Sequence, residues 1–550
     1  MLRLTELKLP LDHGPDALVP AIAARLGVPE SDVLSHTLFR RGYDARKRSA
    51  VHLVYSFDVA VRDEAAVLAR LAGDRSVQAA PDMRYRFVID DGASRAARPG
   101  YARPVVIGAG PCGLLAGLIL AQMGLRPLIL ERGRAVRERT VDTFALWRRS
   151  VLTPESNVQF GEGGAGTFSD GKLYSQVSDR QHYGRKLLQE FVRAGAPEEI
   201  LFVSKPHIGT FRLVTVVESI RAQIEALGGE YRFGSRVTGF QVGRARSGER
   251  RIEGVALADG STIETGQVVL AIGHSARDTF DALHAAGVSM QAKPLSVGVR
   301  IEHPQSLIDR ARFGDHAGHP RLGAADYKLV HHAANGRGVY SFCMCPGGTV
   351  VAATSEEGRV VTNGMSQYSR AERNANAGIV VGLTPDDFAP FGTGPLAGVA
   401  FQRHWESLAF QAGGGGYRAP AQRVGDLLAG RPSTELGAVI PSYTPGVTPT
   451  CLSACLPDYA VAAIREALPQ FGRQIRGFDM ADAVMTGVET RTSSPVRITR
   501  GPDLQSLNTR GLYPAGEGCG YAGGIMTAGI DGIRVAEAIA LELAGTRAAA

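Results

Sequence analysis

The chain has 550 residues, 44% hydrophobic and 21% charged, with 61 basic and 54 acidic side chains and a formal net charge of +7. That length exceeds what one hydrophobic core sustains, so two or three domains are expected, and the composition excludes bulk disorder. A charge this mild over so large a surface gives no case for nucleic acid, and the basic runs Arg132–Arg139 and Arg244–Arg251 read as solvated surface.

The first ten residues alternate apolar and polar side chains, which predicts a strand rather than a signal peptide. No apolar run approaches the ~20 residues of a membrane span. The six cysteines form no Cys-x2-Cys pair and no metal-ligand spacing, so a reducing cytoplasm is the expected home. Residues 1–95 read as a small α+β unit. It has strands near Leu2–Leu9, Val51–Val59 and Tyr85–Ile89, with helices near Asp16–Leu26 and Glu64–Leu71, the ferredoxin-like order. The small, polar stretch Asp91–Pro99 reads as a linker.

Pro104-Val-Val-Ile-Gly108-Ala-Gly110-Pro111-Cys112-Gly113 is an apolar strand running into a glycine turn; a helix over Leu114–Met123 and a strand ending at Glu131 follow. Gly108 permits the turn, Gly110 lets backbone approach a pyrophosphate, and Gly113 lets helix and strand pack closely. The helix N-terminus offers unpaired N–H groups to phosphates. Glu131, followed by Arg132, stands where an acid accepts hydrogen bonds from ribose hydroxyls.

The long glycine-rich stretch Asn157–Leu173, with Gly163, Gly164, Thr167 and Lys172, lacks periodicity and is expected to be a functional loop. Val237 is a further candidate for cofactor binding; a hairpin over Glu253–Thr265 and a strand from Gln267 to Gly273 come next, with His274 at the end. Near the C-terminus Gly511–Gly518 reads as a strand ending at Gly516-Glu517, before Gly524-Ile525-Met526 and a helix to Leu543. In that order these marks resemble the glutathione-reductase superfamily of flavoproteins. The resemblance implies noncovalent FAD. Glu517 would bond its ribityl chain or pyrophosphate, and the helix starting at Gly524, Ile525 and Met526 would point at the flavin pyrimidine.

With Arg41–Lys47, Gly338–Gly348 and Val361–Ser366, the whole chain is similar to the bacterial FAD-dependent proteins known as NAD(FAD)-utilising dehydrogenases. The fold this implies is α/β. A Rossmann-like FAD-binding domain spans 100–295 and 485–550, an α+β substrate domain is inserted at 296–484, and the ferredoxin-like unit precedes both. The implied activity is hydride transfer between flavin and a small or partly apolar substrate. A second dinucleotide fingerprint is missing, so NAD(P)H would dock transiently as external donor. Tyr340–Pro346 is faintly similar to an element of geranylgeranyl reductases.

Lys172 is the candidate catalytic residue, as a flavin partner, against the alternative of a solvated lysine. His274 is expected to cap a turn. Cys343 and Cys345 would share a strand face, as buried packing residues or a redox pair. Cys451 and Cys455 would share a helix face. Gly413–Gly416 reads as a turn or a lid hinge, and His303, His331 and His332 have no ligand partners for a metal. A flavin monooxygenase and a non-catalytic flavoprotein with a partner-binding N-terminal domain stand as alternatives. The oligomeric state is left open.

Overall fold

A computed structural model describes residues 1–545. Strands Leu2–Pro10, Val33–Asp44, His52–Val61 and Val77–Ala79 form an antiparallel sheet in which Leu2–Pro10 lies between His52–Val61 and Val77–Ala79. Helices Leu18–Leu26 and Glu64–Arg70 connect them. Leu2, Leu4, Phe57 and Val59 alternate inward, as period-two patterning requires. The same core takes in Phe313, Met344, Ala375 and Ala377 from the middle of the chain.

The strand expected at Tyr85–Ile89 is not formed. Val77–Ala79 already pairs with Leu2–Leu4, so the later segment runs as an irregular strap. Tyr85, Val88 and Ile89 pack on the core around the C-terminal helix, and the Tyr85 hydroxyl donates to Glu537 at 2.8 Å. The expected linker is likewise docked: Gly92–Ala96 forms a short helix, and a Cβ on Gly92 would meet the Met123 carbonyl at 1.8 Å.

Five parallel strands form the next sheet, in the order Leu512–Pro514, Val268–Leu270, Val105–Ile107, Leu128–Leu130, Glu230–Arg232. The first four are wholly buried, the apolar run that a sheet covered on both faces demands. Helices Pro111–Gln122, Thr210–Ala226 and Ile525–Ala544 supply much of that cover. An antiparallel sheet of Val237–Arg244, Arg250–Leu257 and Thr262–Glu264 adjoins it.

Residues 295–489 build a mostly antiparallel eight-stranded sheet centred on Leu295–Pro304. Its long strand Gly338–Ala352 carries register shifts on either side of Cys345. Cys343 sits there at φ +41° and is exposed, while Cys345 is buried, so the two do not share a strand face as expected. Cys451 and Cys455 flank a short 3-10 turn, Leu452–Ala454, instead of lying on a helix. Pro457 disfavours helix at the residue before it, and the helix begins at Asp458. Gly413 caps the helix Ala397–Ala412, and Gly414–Gly416 take positive φ to turn the chain; none of them lines the cavity described below. Among the described residues no helix is long and apolar enough to cross a membrane.

Candidate functional site

Three glycine-bearing segments meet with no room for side chains between them. A Cβ on Gly108 (φ +99°) would lie 2.4 Å from the Ala271 carbonyl, and one on Gly113 1.9 Å from the Gly108 carbonyl. A Cβ on Gly164 (φ +61°) would meet Gly110 Cα at 2.7 Å, and one on Gly516 would meet Cys112 Cβ at 2.8 Å. Gly108 is therefore dictated by the neighbouring strand as much as by its own turn.

Around this junction lies a cavity of about 320 Å³. Of the residues expected at the cofactor, Gly108, Gly110, Pro111, Cys112, Glu131, Arg132, Gly164, Lys172, Val237, Gly273, Gly516, Glu517, Gly524 and Ile525 line it. Four stand behind the wall. Gly113 packs helix on strand, Gly163 donates to the Ala109 carbonyl at 2.8 Å, Thr167 is buried beneath Gly163, and Met526 belongs to the apolar core.

Helices Pro111–Gln122 and Ile525–Ala544 both open on the cavity from glycine N-caps that supply no side-chain cap. The N–H groups of Cys112 and Gly113, and those of Ile525 and Met526, have no acceptor among the described residues. Such orphan donors, with the positive ends of two helix dipoles, suit an anionic ligand.

Glu131 is buried. Its Oε1 accepts from Gly133 and Gly161 (2.9 and 3.0 Å) and its Oε2 from Ala109 (2.8 Å), which leaves one acceptor position on Oε2. Arg132 is fully engaged, paired with Glu155 and Asp278 at 2.8 Å each and lying over the Phe160 ring. Its guanidinium is therefore committed to protein partners. Arg139, from the same basic run, is wholly buried, against the surface reading. It donates to the carbonyls of Asn157, Val158 and Glu162, each at 2.7 Å, and pins the loop Asn157–Leu173.

Glu517 accepts from Gly524 N–H at 3.3 Å, and burial raises its pKa. Asp531 holds the Gly516 N–H at 2.8 Å while pairing with Arg500 at 2.7 Å. His274 lines the cavity, and its Nε2 stands 3.9 Å from Glu517. Burial, with Arg491 and Arg277 nearby, pushes its pKa down to about 3, so it is a neutral imidazole.

The remaining wall comes from the large sheet and carries buried charge. Lys172 donates to the Met344 carbonyl; burial alone would lower its pKa, but Asp170, with lesser help from nearby thiols and Tyr174, raises it. Asp170 itself pairs with Arg370. Arg300 joins Glu489 at 2.9 Å and also donates to the Cys343 carbonyl at 2.8 Å and to Asn363 at 2.9 Å. Arg491 and Arg277 both clasp Glu406, and Arg491 adds Ser275 at 3.0 Å and Ser355 at 2.7 Å. Cys343 opens onto the cavity it lines, yet desolvation by the surrounding protein pushes its thiol up to about 12 despite Lys172 and Arg300, so it stays protonated.

Asp170, Asn363, Glu489 and Arg491 line the cavity and were not among the sequence candidates. Little in the sequence marks them: Glu489 ends the buried strand Val484–Glu489 and Arg491 follows it, but their partners Arg300 and Glu406 come from distant segments. The hydrogen-bonding of His274 to Ser275 (3.1 Å) fits a turn cap, but its place in the cavity wall gives it a second position of interest.

Residues 294–492 match the family model described as "FAD-dependent protein, C-terminal domain-like", and residues 1–60 match a domain of unknown function. An uncharacterized protein of Clostridium beijerinckii is 46% identical over 539 residues, 98% of each chain. Among solved structures, glycine oxidase from Geobacillus kaustophilus is 11% identical, covering 81% of this chain and 95% of its own, with a TM-score of 0.33. CtdE in complex with FAD is 13% identical, covering 81% and 85%, with a TM-score of 0.31. Nothing about this chain rests on structural likenesses of that depth. The chain belongs to one family with the clostridial protein and matches, across residues 294–492, the C-terminal domain of the FAD-dependent proteins.

Proposed function

We propose that the chain is a FAD-dependent oxidoreductase, with FAD bound noncovalently in the cavity and NAD(P)H as an external donor that docks transiently. In this reading residues 100–295 and 485–550 form the FAD-binding unit, 296–484 the substrate unit, and 1–95 a brace that shares its core with the substrate unit. The observation that carries it is the convergence of two uncapped, glycine-framed helix starts with Glu131 and Glu517 on one cavity. The orphan N–H groups suit a pyrophosphate, and the one remaining acceptor position on Glu131 suits a ribose hydroxyl.

Bound FAD supplies the two-electron chemistry that no side chain here provides. The protein's part is to bind, orient and bias. Gly110 presents bare backbone, and Glu517 and the Gly524 N–H fix one another. Lys172, bonded to the Met344 carbonyl and in the field of Asp170, places a positive charge in a poorly solvated wall, where it favours whichever ligand state carries more negative charge. Cys343 remains a neutral thiol, able to donate a proton but not poised as a nucleophile. The six cysteines are all unpaired, in keeping with a reducing cytoplasm.

The test is direct. Purified protein should carry FAD released by denaturation, and Gly110→Val should lose it. Stopped-flow mixing with NADH and with NADPH should bleach the flavin with at least one of them. Lys172→Met should keep the flavin but shift its reduction potential to a more negative value. Protein free of FAD, or flavin that neither nucleotide reduces and no acceptor reoxidises, would sink the enzyme reading.

A further inference from the structure

A second cavity, of about 740 Å³, shares Phe342 and Thr492 with the first and is also lined by Lys293, Tyr340, Leu383 and Ser493. The cations around the first cavity are nearly all spoken for. Arg132, Arg277, Arg300, Arg370 and Arg491 each pair with a carboxylate, and Arg337 in the second cavity pairs with Asp387 at 2.6 Å. Lys293 and Arg497 differ. Among the described residues neither side chain bonds a carboxylate. Lys293 makes only long contacts, to Ser493 Oγ at 3.4 Å and to the Pro294 carbonyl at 3.5 Å, and the buried Nε of Arg497 has no partner at all.

The backbone brings the two together. Strands Met290–Ala292 and Val496–Ile498 pair antiparallel with Gln291 opposite Arg497, and the Lys293 N–H continues the ladder to the Pro495 carbonyl at 2.9 Å. Lys293 and Arg497 are then diagonal neighbours on one face of the ribbon, about 7–8 Å apart at the backbone. Two like charges on one face, half-buried and unpaired, cost stability unless something negative joins them. The nearest acid that Lys293 feels, Glu517, faces the first cavity. Burial and then Arg497 lower the Lys293 pKa, as expected for two cations held close.

We propose that Lys293, in the wall of the second cavity, and Arg497, beside it on the same ribbon face, form an anion-recognition pair that seats the carboxylate or phosphate of the molecule exchanging electrons with the first cavity. The rest of the second cavity suits a partly apolar body: Phe342 and Leu383 offer carbon surface, and the hydroxyls of Tyr340 and Ser493 offer orientation. This deepens the proposed function by naming the substrate class, an organic anion entering from the large sheet's side. The anion site itself stands on the two cations and does not depend on flavin.

The test is calorimetric titration of the purified, FAD-loaded protein at low ionic strength with inorganic phosphate and with malonate. FAD content is measured on the same samples. Saturable binding of at least one anion is expected, weakened tenfold or more in Lys293→Met and in Arg497→Met. Lys293→Arg should bind within about threefold of wild type, as should Lys8→Met on the distant N-terminal sheet. No saturable heat with either anion overturns the proposal, and so does unchanged affinity in both methionine variants. A loss of FAD from either methionine variant whose Lys293→Arg counterpart keeps it also overturns it, because the anion would then belong to the cofactor. Anion binding in protein that carries no FAD would sink the oxidoreductase reading and leave the site standing.

Discussion

The carboxylate of Glu131, at the end of one parallel strand, accepts the N–H of Ala109 in the glycine turn of the neighbouring strand at 2.8 Å. The same carboxylate holds Gly133 and Gly161, so one side chain ties three backbone segments of the cavity floor. Every partner is a donor, which demands an acceptor on both oxygens. Glu131→Gln therefore turns an NH2 group toward an N–H and strands a buried donor, at a cost of about 1–3 kcal/mol. We expect thermal denaturation to show that loss, with FAD binding weakened tenfold or more. Equal stability and equal FAD affinity in this variant would remove Glu131 from both roles.

The contact between Gly164 and Gly110 gives a second prediction. A methyl at Gly164 would sit 2.7 Å from Gly110 Cα, at a φ of +61° that alanine adopts reluctantly. The backbone must move, and the part that moves is the turn in front of the first helix. Gly164→Ala should lower the 450 nm to 280 nm absorbance ratio of purified protein severalfold. Gly358→Ala, equally positive in φ (+66°) but open to space, should cost only the backbone strain and leave the ratio unchanged. Equal ratios in both variants would mean that Gly164 is not part of the floor.

What the sequence could express was local. The fingerprint at Gly108–Gly113 and the strand to Gly516-Glu517 declare themselves because turn, helix start and acid fall within a few residues. The expected loop Asn157–Leu173 is a loop, yet the reason it is ordered, Arg139, looked like one member of a surface basic run. Its burial depends on three carbonyls that only the fold assembles. The strap at Tyr85–Ile89 carries a strand's alternation but arrives after its sheet position is filled. Cys343 and Cys345 fail for a similar reason: a bulge changes which way a side chain points, and period-two reasoning does not see bulges. Asp170, Glu489 and Arg491 are each ordinary charged residues in sequence. Only long-range pairing makes them buried groups on one wall.

Acid should loosen the fold by a definite route. The pKa of His274 is held near 3 and that of His303 near 4, each first by burial, against an ordinary 6.5. The unfolded chain takes up those protons near pH 6.5 and the folded chain does not. Both histidines therefore contribute stability that is whole above about pH 6.5 and is lost as the pH falls toward 4 and 3. Glu356 acts in the same direction lower down. Burial opposes its charge, but Arg403, Arg277 and Arg491 outweigh burial and hold its pKa at about 2, so its contribution is lost between the ordinary 4.5 and 2. Urea midpoints should fall steadily from pH 7 to pH 5. In His274→Asn/His303→Gln that slope should be clearly shallower, and an equal slope would assign the titration to other groups.

The last prediction concerns Glu406, wholly buried between Arg277 and Arg491. Burial alone would raise its pKa, yet the two guanidiniums hold it well below the usual carboxylate range, so it is ionised. Glu406→Gln keeps the shape and removes the charge, which leaves two arginines facing each other with Glu356 their one remaining acid nearby. Breaking a buried pair in this way costs about 3–5 kcal/mol, chiefly from the charge left uncompensated. Arg491→Met on that background removes one of the stranded cations. The double variant should accordingly lose less stability than the two single losses summed, by 1 kcal/mol or more in urea unfolding. Arg491 also lines the cavity, so Glu406→Gln, which frees its guanidinium, should change the visible spectrum of bound flavin while Arg403→Met, at the outer rim of the same network, does not. Additive losses together with an unperturbed spectrum would reduce the cluster to a surface-like set of independent pairs.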